Sequence, residues 1–132
     1  MAEVQVVPAV QGFWLTVGAT LVALIVWGSL TPSPPNFDIT LPDFDKVEHF
    51  SAYLMLTAWF TAAFPRRWRW VAVVFAVLGG LIEILQGYTG RDPEWGDWLA
   101  DCIGVAVGAW YPARWTLRAR LWLAKRYAYV RA

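Results

Sequence analysis

The stretch from Gly12 to Leu30 constrains this chain most, because it holds no ionisable side chain and is long enough to cross a lipid bilayer. A helix needs about 20 mostly apolar residues to cross about 30 Å of hydrocarbon. A run of Thr, Ser and Pro at residues 31–35 breaks the helical pattern after Leu30. No Lys or Arg precedes the stretch and further hydrophobic segments follow it, so we interpret it as a membrane span and not as a cleavable signal.

Three further hydrophobic segments, at about residues 47–64, 70–88 and 98–115, predict four spans in all. The composition is also that of a membrane protein, since 58% of the chain is apolar and 16% is charged. A soluble domain carries roughly a quarter charged residues. The sequence therefore predicts an all-α membrane protein, a four-transmembrane-helix bundle that forms a single domain over residues 12–117.

The placement of charges predicts how the bundle is oriented, because Lys and Arg near span ends stay on the cytoplasmic side. Nine of the eleven basic residues lie between spans two and three or after span four: Arg66, Arg67, Arg69, Arg114, Arg118, Arg120, Lys125, Arg126 and Arg131. Eight of the ten acidic residues lie in or beside the other loops: Asp38, Asp43, Asp45, Glu48, Asp92, Glu94, Asp97 and Asp101. We therefore expect both termini in the cytoplasm, with residues 118–132 as a basic tail along the inner membrane interface.

The counts of charged residues and cysteines exclude nucleic-acid binding and a framework of disulfides or cysteine-bound metal. The formal net charge of +1 supplies no large basic field, so we expect no nucleic-acid partner. The single Cys102 allows neither an internal disulfide nor a cysteine-rich metal site. His49, Glu83 and Asp101 are ligand types that could hold a divalent metal, but one histidine with carboxylates is a set of low specificity. We therefore expect no bound metal and no cofactor, and membrane lipids as the surroundings.

Polar residues gather at the predicted outer ends of spans two, three and four, although a carboxylate in hydrocarbon is costly unless it is paired or neutralised. The candidate binding residues are Lys46, His49, Tyr53, Glu83, Gln86, Arg91, Asp97 and Asp101. Helical spacing places the members from each span on one face. We expect the basic members to meet Glu83, Asp97 and Asp101, so that each buried carboxylate has a cation or a donor.

Each of these residues also has an ordinary structural interpretation. Asp45 and Asp97 can cap the helices that they precede, and Lys46 and Arg91 can extend to the lipid headgroups. A histidine such as His49 in a membrane helix is more often an interhelical hydrogen-bonding group than a ligand or catalyst. Their joint placement on one side of the membrane favours a functional site over a purely structural network.

Small residues predict where the helices approach closely. Gly80 lies in span three, and Gly104-x-x-x-Gly108 continues the face of span four that begins at Asp97 and Asp101. The same glycines can also join two copies of the chain, so a homo-oligomer is an open alternative.

The polar residues fall into short motifs in a fixed order: Asp45-Lys46-x-x-His49-Phe50-x-x-Tyr53, Gly80-x-x-Glu83-x-x-Gln86, Arg91, Asp97 and Gly104-x-x-x-Gly108. This order resembles the VanZ-like family of small membrane proteins over residues 45–108. The resemblance implies a multi-pass protein of the bacterial plasma (inner) membrane, in a family named for a member that lowers susceptibility to the glycopeptide teicoplanin. It also implies that Lys46, His49, Glu83, Gln86, Arg91 and Asp97 are the matching family positions. Asp101 stands where the family pattern often has Asn, which adds an anionic group.

The preferred function is recognition of a lipid-linked cell-wall precursor, or of a glycopeptide, by the outer polar residues. In this hypothesis Lys46 and Arg91 meet phosphate, while Asp97 and Asp101 accept hydrogen bonds from sugar or amine groups. Antibiotic resistance does not transfer automatically from the namesake of a family to its other members.

Two other functions are open. An intramembrane hydrolase or transferase would act on a lipid headgroup through His49 and Glu83 as candidate catalytic residues, although the chain has no established catalytic motif. A proton-coupled transporter ranks third, because the predicted cytoplasmic halves of the spans offer few polar residues.

Overall fold

The computed structural model describes residues 8–32 and 43–111, which are largely helical, and within residues 43–111 short turns join the helices. The elements are α1 (Pro8–Leu30), α2 (Phe44–Ala63), a 3₁₀ turn (Pro65–Arg67), α3 (Trp68–Thr89) and α4, which begins at residue 95 and is described as far as residue 111. These two ranges contain no β-strand, so the predicted all-α class is confirmed for them. The predicted basic tail, the end of span four and most of the first linker lie outside the described residues.

Two helical segments are long and apolar enough to cross a membrane, Gly12–Leu30 and Pro65–Thr89. They coincide with the first and third predicted spans. At about 1.5 Å per residue their 19 and 25 residues extend about 28 and 37 Å, against the ~30 Å of a bilayer core. α2 carries Asp45, Lys46 and Glu48 in its first turns, and α4 is described over only part of the predicted fourth span.

Local signals in the sequence explain where the helices turn. α2 ends at Ala63, and Pro65 then begins the 3₁₀ turn that leads into α3. α3 ends before Gly90, whose φ of 78° is the left-handed conformation that commonly terminates a helix. α2 begins at Phe44, so Asp43 and not Asp45 occupies the N-cap position, and Asp45 lies in the first helical turn.

Successive helices run in opposite directions. The C-terminal end of α1, the N-terminal end of α2, the C-terminal end of α3 and the N-terminal end of α4 therefore share one end of the bundle, which we call the polar end. Near the opposite end, the Trp59 indole in the last turns of α2 donates a hydrogen bond to the Trp14 carbonyl near the start of α1 (2.9 Å). Arg66 and Arg67 lie there too, in the exposed 3₁₀ turn.

The distribution of polar residues is inverted relative to a soluble protein. Large apolar side chains are exposed along the outer face of α3, namely Trp70, Val73, Val74, Val77, Leu81, Ile84, Leu85 and Tyr88. The buried polar or charged residues include Thr57, Thr61, Glu83, Gln86, Asp97 and Asp101. Contiguous apolar surface of this kind seeks a non-aqueous partner, which agrees with a membrane location.

The close packing of α4 on α2 depends on two glycines. A Cβ atom at Gly104 would collide with the backbone of Phe50, and one at Gly108 would lie 2.5 Å from the Leu54 carbonyl oxygen. The two backbones therefore meet over one helical turn, as small-xxx-small sequences allow. This contact aligns the first turns of α4 with the first turns of α2 at the polar end.

Candidate functional site

His49 and Asp101 form the most buried contact between α2 and α4 at the polar end. The Nδ1 atom of His49 lies 3.0 Å from Oδ1 of Asp101, and the Asp101 side chain is 1% exposed. Because an ionised carboxylate can only accept, Nδ1 donates to Asp101, and in the neutral imidazole Nε2 then carries the lone pair. Nε2 faces Asp97, whose Oδ2 atom is 3.6 Å away.

Glu83 reaches this pair from α3 and is itself buried, with 1% of its surface exposed. Its Oε2 atom accepts a hydrogen bond of 2.8 Å from the backbone N–H of Glu94, the residue that precedes α4. The N-terminus of a helix has unpaired N–H groups and a partial positive charge, so it partly stabilises this carboxylate.

Lys46 lies at the rim of these residues and is surrounded by acids. Its Nζ atom lies 3.3 Å from Asp43, 3.5 Å from Asp45, 3.4 Å from Glu94 and 3.7 Å from Asp97. Desolvation by itself would lower the pKa of Lys46, but the surrounding carboxylates outweigh it and raise that pKa above its usual range. We call His49, Glu83, Asp97 and Asp101 the polar cluster, with Lys46 at its rim.

Arg91 and Gln86 bind α1 instead of the polar cluster. Arg91 Nη1 donates to the carbonyls of Gly28 and Ser29 (3.1 Å each), and Gln86 Nε2 donates to the Ser29 carbonyl (3.0 Å). The expected meeting of Arg91 with the buried carboxylates is not found among the described ion pairs. The physical reason is that the last carbonyls of a helix lack internal donors and attract a nearby cation.

Tyr53 continues the face of His49 one turn deeper into the bundle and is 1% exposed. Thr57 and Thr61 follow at the same four-residue spacing and are fully buried. Within the described chain the hydroxyl groups of all three have no hydrogen-bond partner. Sequence reasoning did not single out Thr57 and Thr61, although their spacing from His49 was a signal that could have found them.

Two glycines of α3 leave space for side chains of α4. A Cβ atom at Gly79 would lie 2.8 Å from Oδ2 of Asp101, so this glycine makes room for the buried carboxylate. Gly80 faces Trp98, whose indole nitrogen donates to the Ala76 carbonyl at 3.0 Å. The glycine pair thus lets α4 approach α3 beside the polar cluster.

The polar cluster contains more carboxylate than its donors satisfy. In the described part of the chain, Oε1 of Glu83, Oδ1 of Asp97 and Oδ2 of Asp101 are buried without a hydrogen-bond partner. Three carboxylates share one imidazole, with Lys46 outside them. Such an arrangement can accept hydrogen bonds, bind a cation, or position His49 as a base.

Comparison with protein-family models, curated proteins and solved structures returns no match for this chain.

Proposed function

We propose that the chain is a VanZ-like integral protein of the bacterial plasma membrane, with four spans and both termini in the cytoplasm. The apolar outer face of α3 and the two span-length segments support a membrane location. The exposed Arg66 and Arg67 lie at the end of the bundle opposite the polar cluster, which supports an extracytoplasmic polar end.

We further propose that the polar cluster recognises the headgroup of a lipid-linked envelope component. The observation that carries this proposal is the set of buried carboxylate oxygens at one end of the bundle that have no hydrogen-bond partner among the described residues. Buried acceptors of this kind are costly unless donors reach them. Hydroxyl and amine groups of a sugar-bearing headgroup are donors of the required kind.

The geometry changes the expected role of the cations in this recognition. Lys46 contacts four carboxylates and Arg91 is bound to the end of α1. Neither is free to bind phosphate as the sequence suggested. The acidic polar cluster therefore favours the sugar or amine part of a lipid-linked cell-wall precursor over its phosphate. A glycopeptide antibiotic presents similar donors, so an effect on teicoplanin susceptibility is part of the same proposal.

Native mass spectrometry of the full chain in nanodiscs tests recognition directly. The probes are a lipid-linked sugar precursor and the same lipid phosphate without its sugar, both in the presence of a metal chelator so that only side chains bind. We expect the sugar-bearing lipid to bind, and to bind about tenfold or more weakly to Asp97→Asn, because one charged hydrogen bond contributes about 1.5–3 kcal/mol.

Glu48→Gln is the matched control, because Glu48 is an exposed acid one residue before His49. It should bind like the wild type. Equal binding of the sugar-free lipid, or unchanged binding by Asp97→Asn, would contradict recognition by the polar cluster.

A second candidate function is favoured by the contact of 3.0 Å between His49 and Asp101. A carboxylate that holds Nδ1–H leaves Nε2 as a general base, the arrangement used in many hydrolases. An intramembrane hydrolase or transferase would then release or transfer a lipid headgroup. We expect any such turnover to disappear in His49→Gln and to persist in Glu48→Gln. A purified wild-type chain that releases no headgroup from envelope lipids would exclude this candidate.

A further inference from the structure

We propose that the polar cluster binds one divalent transition-metal ion, such as Zn²⁺, through His49, Glu83 and Asp97. One ligand atom from each of these residues lies within 4.8 Å of the other two. The proposal does not depend on headgroup recognition, since it follows from the donor atoms alone.

The spacing of the donor atoms is close to that of a metal site. Two ligand atoms bound at about 2.1 Å with a tetrahedral angle between them are roughly 3.4 Å apart. The distance between His49 Nε2 and Asp97 Oδ2 is 3.6 Å, which is long for a hydrogen bond. It suits two atoms that share one ion.

Two of the proposed ligands, Glu83 and Asp97, each have a carboxylate oxygen that makes no hydrogen bond within the described residues. Oε2 of Glu83 is bound by the Glu94 amide, whereas Oε1 is buried and has no partner within the described residues. Oδ1 of Asp97 is a second buried oxygen without a hydrogen bond among the described residues, and Lys46 Nζ lies 3.7 Å from it, so Oδ2, which faces His49, is the oxygen of Asp97 left for the ion. A dication would neutralise these two carboxylates in a site where uncompensated charge is costly.

Asp101 supplies the support that metal-bound histidines usually have. Its contact with Nδ1 fixes the imidazole so that Nε2 points its lone pair at Asp97. Metal-binding histidines characteristically donate their second N–H to a carboxylate in this way, which sets the tautomer and raises basicity. Asp101 is therefore a positioning residue and not a ligand in this proposal.

A neighbouring acidic group is a weaker candidate for a metal site, because Lys46 already lies among its carboxylates. Asp45, Glu94 and Asp97 also bring ligand atoms within 4.8 Å of one another. However, Lys46 Nζ lies 3.5 Å, 3.4 Å and 3.7 Å from these three carboxylates and already supplies a positive charge. Of the three proposed ligands, Lys46 contacts only Asp97 among the described ion pairs, and none of those ion pairs involves Glu83.

The donor types indicate the class of metal. One imidazole nitrogen with carboxylate oxygens suits Zn²⁺ or another first-row ion, whereas Mg²⁺ and Ca²⁺ prefer all-oxygen ligands. Three protein ligands also leave a coordination position open. A headgroup oxygen can occupy that position, so metal binding and recognition are compatible.

Metal binding is measured on the full chain in detergent after removal of metals with a chelator. Zn²⁺, Mn²⁺ and Mg²⁺ are titrated separately, and the bound metal is counted by elemental mass spectrometry. We expect one Zn²⁺ per chain and much weaker Mg²⁺ binding. Replacing a residue that only supports a ligand typically lowers metal affinity ~10–100-fold. Asp101→Asn should lose Zn²⁺ affinity within that range. Glu83→Gln and His49→Gln each remove a ligand and should lose more.

Two controls distinguish this site from other acidic residues. Glu94→Gln alters the neighbouring acidic group, and Glu48→Gln alters an exposed acid on α2; both should bind Zn²⁺ within about twofold of the wild type, since neither supplies a ligand. A larger loss in Glu94→Gln than in Glu83→Gln would overturn the assignment. A stripped wild-type chain that takes up no Zn²⁺ would overturn the proposal whether or not any variant folds, and would leave headgroup recognition untouched.

Discussion

Three ionisable residues at the polar end make three different kinds of contact, although all lie near helix ends. His49 contacts a buried carboxylate, Lys46 stays at the rim among four acids, and Arg91 satisfies the carbonyl groups at the end of α1. The length of the side chain does not explain why their contacts differ. What separates them is which unsatisfied groups the neighbouring helix presents.

Replacing the buried threonines of α2 with valine should not destabilise the protein. Thr57 and Thr61 are fully buried, and within the described residues their hydroxyl groups have no hydrogen-bond partner. Removing a buried polar group without a partner gains up to about 1–3 kcal/mol in the free energy of unfolding, because its desolvation cost disappears. We expect equal or higher thermal stability for each valine variant in detergent. A clear loss of stability would show that each hydroxyl has a partner.

The contribution of Lys46 to stability should be independent of pH over the neutral range. Its pKa is raised in the folded state by the surrounding carboxylates, against the opposing effect of desolvation. Stability from such a group is fully present below the unfolded pKa of about 10.4 and is lost as pH rises through the folded pKa. The difference in Tm between the wild type and Lys46→Gln should therefore be constant from about pH 6 to 9 and shrink only above about pH 10. A difference that shrinks between pH 6 and 9 would contradict this charge state.

At the scale of elements, two kinds of contact hold the polar end together. α4 lies against α2 through Gly104 and Gly108, where the two backbones touch. α1 is attached differently, through hydrogen bonds from Gln86 and Arg91 to its last carbonyl groups. The first contact positions the polar cluster, whereas the second fixes the end of a helix that contributes no residue to it.

Enlarging Gly104 should separate α2 from α4. Even a Cβ atom there meets the backbone of Phe50, so Gly104→Ala cannot be accommodated by a side-chain rotation. Overpacking of this kind typically costs about 1–3 kcal/mol in the free energy of unfolding. We expect a lower Tm and weaker Zn²⁺ binding, because His49 and Asp97 lie on the two helices that move apart.

Gly12→Ala is the matched control for this variant. Gly12 also lies in a helix, but an added Cβ atom there would have no neighbour within 4 Å. Alanine in place of helical glycine is usually favourable by about 0.5–1 kcal/mol. Gly12→Ala should therefore be as stable as the wild type or more stable. Equal behaviour of the two variants would indicate that α2 and α4 do not meet at Gly104.

At the scale of the whole molecule, alternating helix directions place the basic 3₁₀ turn and the polar cluster at opposite ends. The amino-acid order alone was enough to predict this separation, because Arg66, Arg67 and Arg69 lie just before α3 or in its first turn, whereas Asp92, Glu94, Asp97 and Asp101 follow it. In the proposed membrane orientation the physical reason for this separation is that basic residues are retained on the cytoplasmic side.

Labelling of single cysteines in intact cells tests the proposed orientation. In a Cys102→Ala background, Asp92→Cys should react with a membrane-impermeant maleimide from outside, because residue 92 lies at the polar end and is exposed. Arg67→Cys in the opposite turn should react only after the membrane is opened. Labelling of both positions from the same side would contradict the four-span topology.

Periodicity and composition were sufficient to predict the helices, two apolar segments long enough to cross a membrane and the residue types of the polar end, because a bilayer allows a spanning chain few structures. Sequence position also predicted that His49, Glu83, Asp97 and Asp101 lie near the same end of the helices. It could not show that Arg91 and Gln86 bind α1, since carbonyl groups at a helix end carry no mark in the sequence. The unpartnered oxygens of the polar cluster likewise emerge only when three helices converge. Partner choice depends on angstrom-scale distances between segments far apart in the chain, and those distances are set by packing.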